Sequence, residues 1–263
     1  MQDRGVQRAV KGLERGVGRA APTALRAPSS TAASRLIVAL DVETVTRAVS
    51  LARQLRGLAA TMKVGSALFT AAGPDAIRRV RVLGVDVFLD LKFHDIPSTV
   101  EKSCRAAVHH RVKMLTIHAS GQREMLEAAM RGVRDEARRT RATRPLVLGV
   151  TVLTSVGEPD SLVTRRVVAM ARQARRAGLD GIVASAHEAT AIRREVGRAL
   201  VIVCPGIRPP SADEADQHRV ATPSRALAQG ADFLVVGRPI TEAPDPRARA
   251  EEILHDMDQA LRR

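Results

Sequence analysis

The chain contains no tryptophan and no tyrosine, and only 4 of its 263 residues are phenylalanine. Any core must therefore be aliphatic, and 45% apolar residues supply enough Val, Leu, Ile and Ala for one sizeable core. The shortage of aromatics also argues against a single-stranded nucleic-acid partner, whose bases stack on aromatic faces. Cysteine is nearly missing as well. Cys104 and Cys204 are isolated thiols without C-x-x-C spacing, which suggests neither a disulfide framework nor a zinc site and fits a reducing, cytoplasmic setting. No apolar run approaches the roughly 18 residues that a bilayer span needs, so no membrane partner is expected. Acids are outnumbered, 28 against 42 Lys and Arg, for a formal net charge of +14. The excess is mostly Arg on presumed helix faces, as in Arg138-Arg139 and Arg175-Arg176, and no recognised nucleic-acid module accompanies it. Solvated faces account for it, and a polyanionic small-molecule site is compatible with it.

Residues 1–34 differ in texture from the rest. They carry Arg4, Arg8, Lys11, Arg15, Arg19 and Arg26, few acids, and a Ser/Ala-rich end. The expectation is a flexible basic extension, disordered or produced by a start codon assigned too far upstream. A targeting segment and a basic amphipathic helix are the alternatives.

From Arg35 to Arg263 short β-rich runs alternate with Ala/Arg-rich stretches of helical period, the pattern of βα units in one domain. Eight strands are predicted: Leu36–Leu40, Thr61–Val64, Val85–Leu89, Met114–Ile117, Leu146–Val152, Gly181–Ala184, Leu200–Val203 and Phe233–Val236. Thr44, Ser98 and Thr222 are candidate helix N-caps, and Gly178 and Gly230 candidate helix stops. The first strand ends Ala39-Leu40-Asp41 without the glycine fingerprint of a dinucleotide-binding sheet. The α/β pattern therefore predicts a (β/α)8 TIM barrel rather than an open sheet.

Barrel enzymes place their chemistry at the carboxyl ends of the strands. Asp41, Lys63, Asp90, Lys92, His118, Thr154, Ser155, Arg208 and Arg238 all fall at or just after predicted strand ends. Alternation along the third strand points Asp90 and Lys92 the same way and Leu91 the other. With Lys63 one strand over, an alternating Lys–Asp–Lys row is predicted, extended by Asp95 if that residue reaches it. Opposite charges turned inward are costly unless paired. At a catalytic rim such a row suits a reaction that develops carbanion character and then takes a proton. A buried ion-pair network that only fixes register is the plainer reading. His94 fits an orienting role better than a chemical one, and His118 is similar. Cys104 is placed mid-helix, and Cys204 reads as a packing residue. Loops after strands seven and eight are the usual phosphate site of barrels. Here they supply Gly206-Ile207-Arg208 and Gly237-Arg238, and the polar stretch from Pro209 to His218 is long enough for a lid.

These residues resemble one family. Asp90-Leu91-Lys92-Phe93-His94-Asp95-Ile96-Pro97 looks like the signature of bacterial-type orotidine 5'-phosphate decarboxylases. The likeness continues through Ala39-Leu40-Asp41, Lys63-Val64-Gly65, His118-Ala119-Ser120-Gly121, Val150 to Ser155, Cys204 to Pro209, Asp216-Gln217-His218-Arg219 and Val236 to Thr241, over roughly residues 35–250. It implies conversion of orotidine 5'-monophosphate to UMP and carbon dioxide in de novo pyrimidine synthesis, with no cofactor and no metal. By the same resemblance Lys92 would protonate C6, Asp90 would lie against the departing carboxylate, and Lys63 and Asp41 would contact the ribose hydroxyls. Asp95 and Thr99 would enter the neighbouring site of a homodimer. Thr154 and Ser155 would read the pyrimidine, and Arg208, Gln217, Gly237 and Arg238 would hold the phosphate. Ser98, Gln122 and Cys204 depart from the family's usual Asn, Gly and Thr. Two rivals stand beside this reading: metal-dependent sugar-phosphate enzymes of the same superfamily, and a non-catalytic basic binding protein.

Overall fold

The computed structural model describes residues 31–152, 160–209 and 220–262. Eight strands are present: β1 (Leu36–Ala39), β2 (Thr61–Gly65), β3 (Asp86–Phe93), β4 (Met114–His118), β5 (Leu146–Val150), β6 (Gly181–Val183), β7 (Val201–Cys204) and β8 (Phe233–Val236). All pair in parallel with their sequence neighbours, and β8 returns to β1, so the sheet closes into a barrel. The helices are α1 (Ala32–Arg35), α2 (Val45–Gln54), α3 (Ser66–Ala72), α4 (Pro74–Arg81), α5 (Pro97–His109), α6 (Arg123–Thr140), α7 (Asp160–Ala177), α8 (Ala186–Val196), α9 (Pro223–Ala228), α10 (Arg238–Thr241) and α11 (Pro246–Leu261). This is the predicted (β/α)8 barrel. Of the basic extension, residues 1–30 lie outside the described residues.

Period-two alternation sorts the strands into two apolar layers. Ile37, Ala39, Phe88, Met114, Leu148, Val201, Val203, Phe233 and Val235 form the barrel interior. The intervening residues, such as Val38, Met62, Val64, Val87, Leu89, Leu115 and Ile117, pack outward against the helices. Two of the four phenylalanines lie inside the barrel, and aliphatic side chains do the remaining filling, as the composition requires.

Local signals set the helix ends. Thr44 Oγ1 accepts from the Arg47 amide and Thr222 Oγ1 from the Arg225 amide, so both predicted caps form. Gly178 and Gly230 sit at φ 78° and 108°, where a side chain would be strained. Ser98 does not cap α5. That helix begins two residues earlier, at Pro97, with Ile96 as its N-cap. Proline at the first helical position has its φ already set and removes one unpaired N–H, and the Thr99 amide bonds the Ile96 carbonyl at 3.0 Å in place of a hydroxyl cap.

At the amino end of the barrel, aspartates tie adjacent strands together. Asp180 receives both arms of Arg144, at 2.6 and 2.7 Å, and the Val147 amide at 2.9 Å. Asp232 repeats the device with Arg193 and the Ile202 amide. Asp86, more exposed, pairs with Lys113 at 2.8 Å.

Candidate active site

The interior parity that places Phe88 inside the barrel also turns Asp90 inward at the carboxyl end of β3, and Lys63 does the same on β2. Asp41 follows β1. These residues meet. Lys63 Nζ donates to Asp41 Oδ1 at 2.8 Å and lies 3.5 Å from Asp90 Oδ2. Lys92 Nζ donates to that same Asp90 Oδ2 at 2.9 Å. The order along the rim is Asp41, Lys63, Asp90, Lys92. Lys63 and Asp90 are buried, whereas Asp41 is open to solvent. Burial works to raise the Asp90 carboxyl, but Lys63, Lys92 and the hydrogen bonds from Lys92 and Thr116 outweigh it and hold the group below its ordinary value. The central carboxylate is therefore an anion at neutral pH.

Plain strand alternation does not deliver Lys92. Leu89 pairs with Leu115 and Phe93 with Ile117, so Asp90, Leu91 and Lys92 all face Thr116. The excess is taken up by a bulge in which Lys92 adopts φ 52°, the left-handed region that a lysine enters at a cost of about 1 kcal/mol or more. The expected facing survives: Leu91 packs on the outer layer while Lys92 reaches Asp90.

Gly65 supports the row in a different way. A Cβ there would lie 2.8 Å from Asp41 Oδ1 and 3.0 Å from Lys63 Nζ, on top of the ion pair. Neither Thr116 nor Gly65 received a role from the sequence. The available signals were inward parity for Thr116 in Met-Leu-Thr-Ile-His, and proximity to Lys63 for Gly65.

Asp95 does not join the row within its own chain. It is exposed, its Oδ1 accepts from the Ile96 amide at 2.6 Å, and it lines an open hollow with His94, Ile96, Pro97, Gln122 and Met125. Thr99, in the first turn of α5, is exposed too. The His94 and His118 rings lie 5.2 Å apart at a tilt. Burial, then the neighbouring His94 and Lys92, lowers the His118 pKa against an opposing pull from Asp90. Cys104 and Cys204 are fully buried, and burial pushes both thiols up to about 12, which fits packing.

Where the barrel closes back onto β1, Arg208 follows β7 and Arg238 follows the adjacent β8. Arg208 is buried, its amide donates to the Ala221 carbonyl at 3.0 Å, and its Nε has no hydrogen-bond partner among the described residues. Gly206 needs to be glycine at φ 73°. Gly237 is outside the left-handed region, at φ −110°, and a Cβ there would meet only Ala39, at an ordinary 3.5 Å. Thr154, Ser155, Gln217 and all but the first residue of the candidate lid lie outside the described residues. Among the described residues no group of three or more His, Cys, Asp or Glu is placed to hold a metal ion, and no helix is long and apolar enough to cross a membrane.

A closed parallel barrel whose carboxyl rim carries a charge row after β1, β2 and β3 and two arginines after β7 and β8 defines a (β/α)8-barrel enzyme for an anionic substrate. The model of the orotidine 5'-phosphate decarboxylase / HUMPS family matches residues 34–253. An orotidine 5'-phosphate decarboxylase of Syntrophotalea carbinolica is 46% identical over 237 residues, covering 88% of this chain and 97% of the relative. One of Moorella thermoacetica is 46% identical over 235 residues, covering 86% and 93%. The crystal structure of orotidine 5'-phosphate decarboxylase from Lactobacillus acidophilus superposes with a TM-score of 0.73 at 33% identity, covering 84% of this chain and 98% of that one. The chain belongs to this family, on its orotidine 5'-phosphate decarboxylase branch, which makes it a carboxy-lyase.

Proposed function

We propose that the chain decarboxylates orotidine 5'-monophosphate to UMP through Lys92, without a metal or organic cofactor, as a cytoplasmic homodimer. The carrying observation is the Asp90 carboxylate, held ionised with one oxygen facing both Lys63 and Lys92. As the C6–carboxylate bond breaks, carbon dioxide leaves and its electron pair stays on C6. The Lys92 ammonium stabilises that developing charge and then donates a proton to C6, after which its amine takes a proton back from solvent. Asp90 keeps Lys92 charged and directed and lies against the departing carboxylate.

Lys63 and Asp41 contact the ribose hydroxyls, Thr154 and Ser155 read the pyrimidine, and Arg208, Gln217, Gly237 and Arg238 hold the phosphate. The space where a Gly237 side chain would stand is left for phosphate oxygens, and the buried Arg208 guanidinium offers a bidentate donor. Binding energy gathered there, remote from C6, helps assemble the reacting end. Asp95 and Thr99, exposed and outside their own row, enter the site of the second subunit.

A spectrophotometric assay of orotidylate loss in EDTA tests this. Wild type turns over, and Lys92→Ala loses at least roughly 10³-fold. Silence of the wild type, or an unimpaired Lys92→Ala, would sink the reading. Activity abolished by EDTA and restored by magnesium would point to the sugar-phosphate enzymes. Mixing Asp95→Ala with Lys92→Ala subunits regenerates roughly a quarter of the sites, those joining the one's Lys92 to the other's Asp95. No recovery on mixing counts against the shared site.

A further inference from the structure

We infer that Thr116 is a positioning residue for the decarboxylation, fixing which Asp90 oxygen faces the two lysines and holding Lys92 in its left-handed conformation. The inference rests on the function proposed above. Thr116 is completely buried in β4, opposite the three bulged residues Asp90, Leu91 and Lys92. Its hydroxyl makes two bonds of 2.9 Å: Oγ1 donates to Asp90 Oδ1 and accepts from the Lys92 amide.

The direction of both bonds is forced. An ionised carboxylate only accepts and a backbone amide only donates, so the hydroxyl proton goes to Asp90 and a hydroxyl lone pair takes the Lys92 N–H. The bulge leaves that amide without a ladder carbonyl, and Thr116 replaces the missing acceptor. With Oδ1 taken by Thr116, the carboxylate plane is set and Oδ2 is the oxygen that meets Lys92 at 2.9 Å and Lys63 at 3.5 Å. Lys92 is thereby held at both ends: its amide through Thr116, and its ammonium through the carboxylate that Thr116 orients. An apolar side chain of the same shape would free the carboxylate to rotate and leave the amide unpaired at the point where the reactive side chain leaves the strand.

Thr116→Val keeps the volume and removes the hydroxyl, whereas Thr116→Ser keeps it. Steady-state turnover of orotidylate is expected to show kcat falling at least tenfold in Thr116→Val with KM changed less than about threefold, because the group acts on the proton donor and not on the phosphate end. Thr116→Ser should stay within about threefold of wild type in both constants. A Thr116→Val enzyme with wild-type kcat overturns the inference, as does an equal loss in the valine and serine variants. A valine loss carried by KM alone also overturns it. If Thr116→Val fails to fold, Thr116→Cys replaces it: its weak S–H donor should give an intermediate kcat, and wild-type kcat in that variant rejects the role. An inactive wild type would instead reject the proposed function itself, so the two failures are distinct.

Discussion

The two ends of the barrel use the same ingredients, buried carboxylates and cations, for opposite ends. At the amino end, Asp180 and Asp232 each meet one guanidinium and one backbone amide, the charges match one to one, and each pair bridges neighbouring strands. At the carboxyl rim nothing is matched so simply. One oxygen of Asp90 faces two ammoniums, Lys63 serves two carboxylates, and Lys92 stands in a backbone conformation that its side chain disfavours. The contrast teaches how one fold separates tasks. Pairing that satisfies every group serves stability, and pairing that leaves charge concentrated is what the proposed decarboxylation would use.

Substitutions should break the molecule differently at the two ends. The largest effect is expected for Asp180→Ala, which strands a partly buried Arg144 and the Val147 amide and should cost about 3 kcal/mol in urea unfolding followed by circular dichroism. Its kcat should stay near wild type; a tenfold fall would show that the amino end is not purely structural. Next comes Gly65→Ala, whose Cβ would press on Asp41 Oδ1 and Lys63 Nζ. Displacing the row should lower kcat/KM by up to roughly 10²-fold while the unfolding midpoint barely moves. A variant that loses stability and keeps activity would refute that assignment. The smallest effect is expected for Asp86→Ala. Among the described residues it meets only the single ammonium of Lys113, with no guanidinium and no backbone amide, and the Asp86 side chain is 53% exposed, so solvent screens the pair. About 0.5 kcal/mol or less is expected, and a loss as large as that of Asp180→Ala would break the link drawn here between burial and clamp strength.

Much of this was legible in the sequence, for a physical reason. Strands in a barrel covered by helices are apolar and β-branched along their length, so all eight stood out and the charged residues at their ends marked the rim. The end of β3 did not. The sequence predicts a strand stopping at Leu89, and Asp-Leu-Lys-Phe reads as simple alternation, whereas the strand runs to Phe93 through a bulge. A positive φ is signalled by glycine or asparagine, and Lys92 carries no such mark. Thr116 was invisible because threonine is ordinary in strands, and only the partner across the sheet shows what its hydroxyl does. Asp95 was drawn toward Lys92 by sequence proximity, but the chain has left the barrel wall by then, and α5 starts at Pro97.

The aromatic-poor core has a practical consequence. With no tryptophan or tyrosine anywhere in the chain, the protein is almost transparent in the near ultraviolet, where the pyrimidine ring absorbs. Enzyme can therefore be raised to the concentration of its own substrate without hiding it. A single turnover, the loss of one carboxylate from one bound ring, becomes something that can be watched directly, against a background set by the ligand alone.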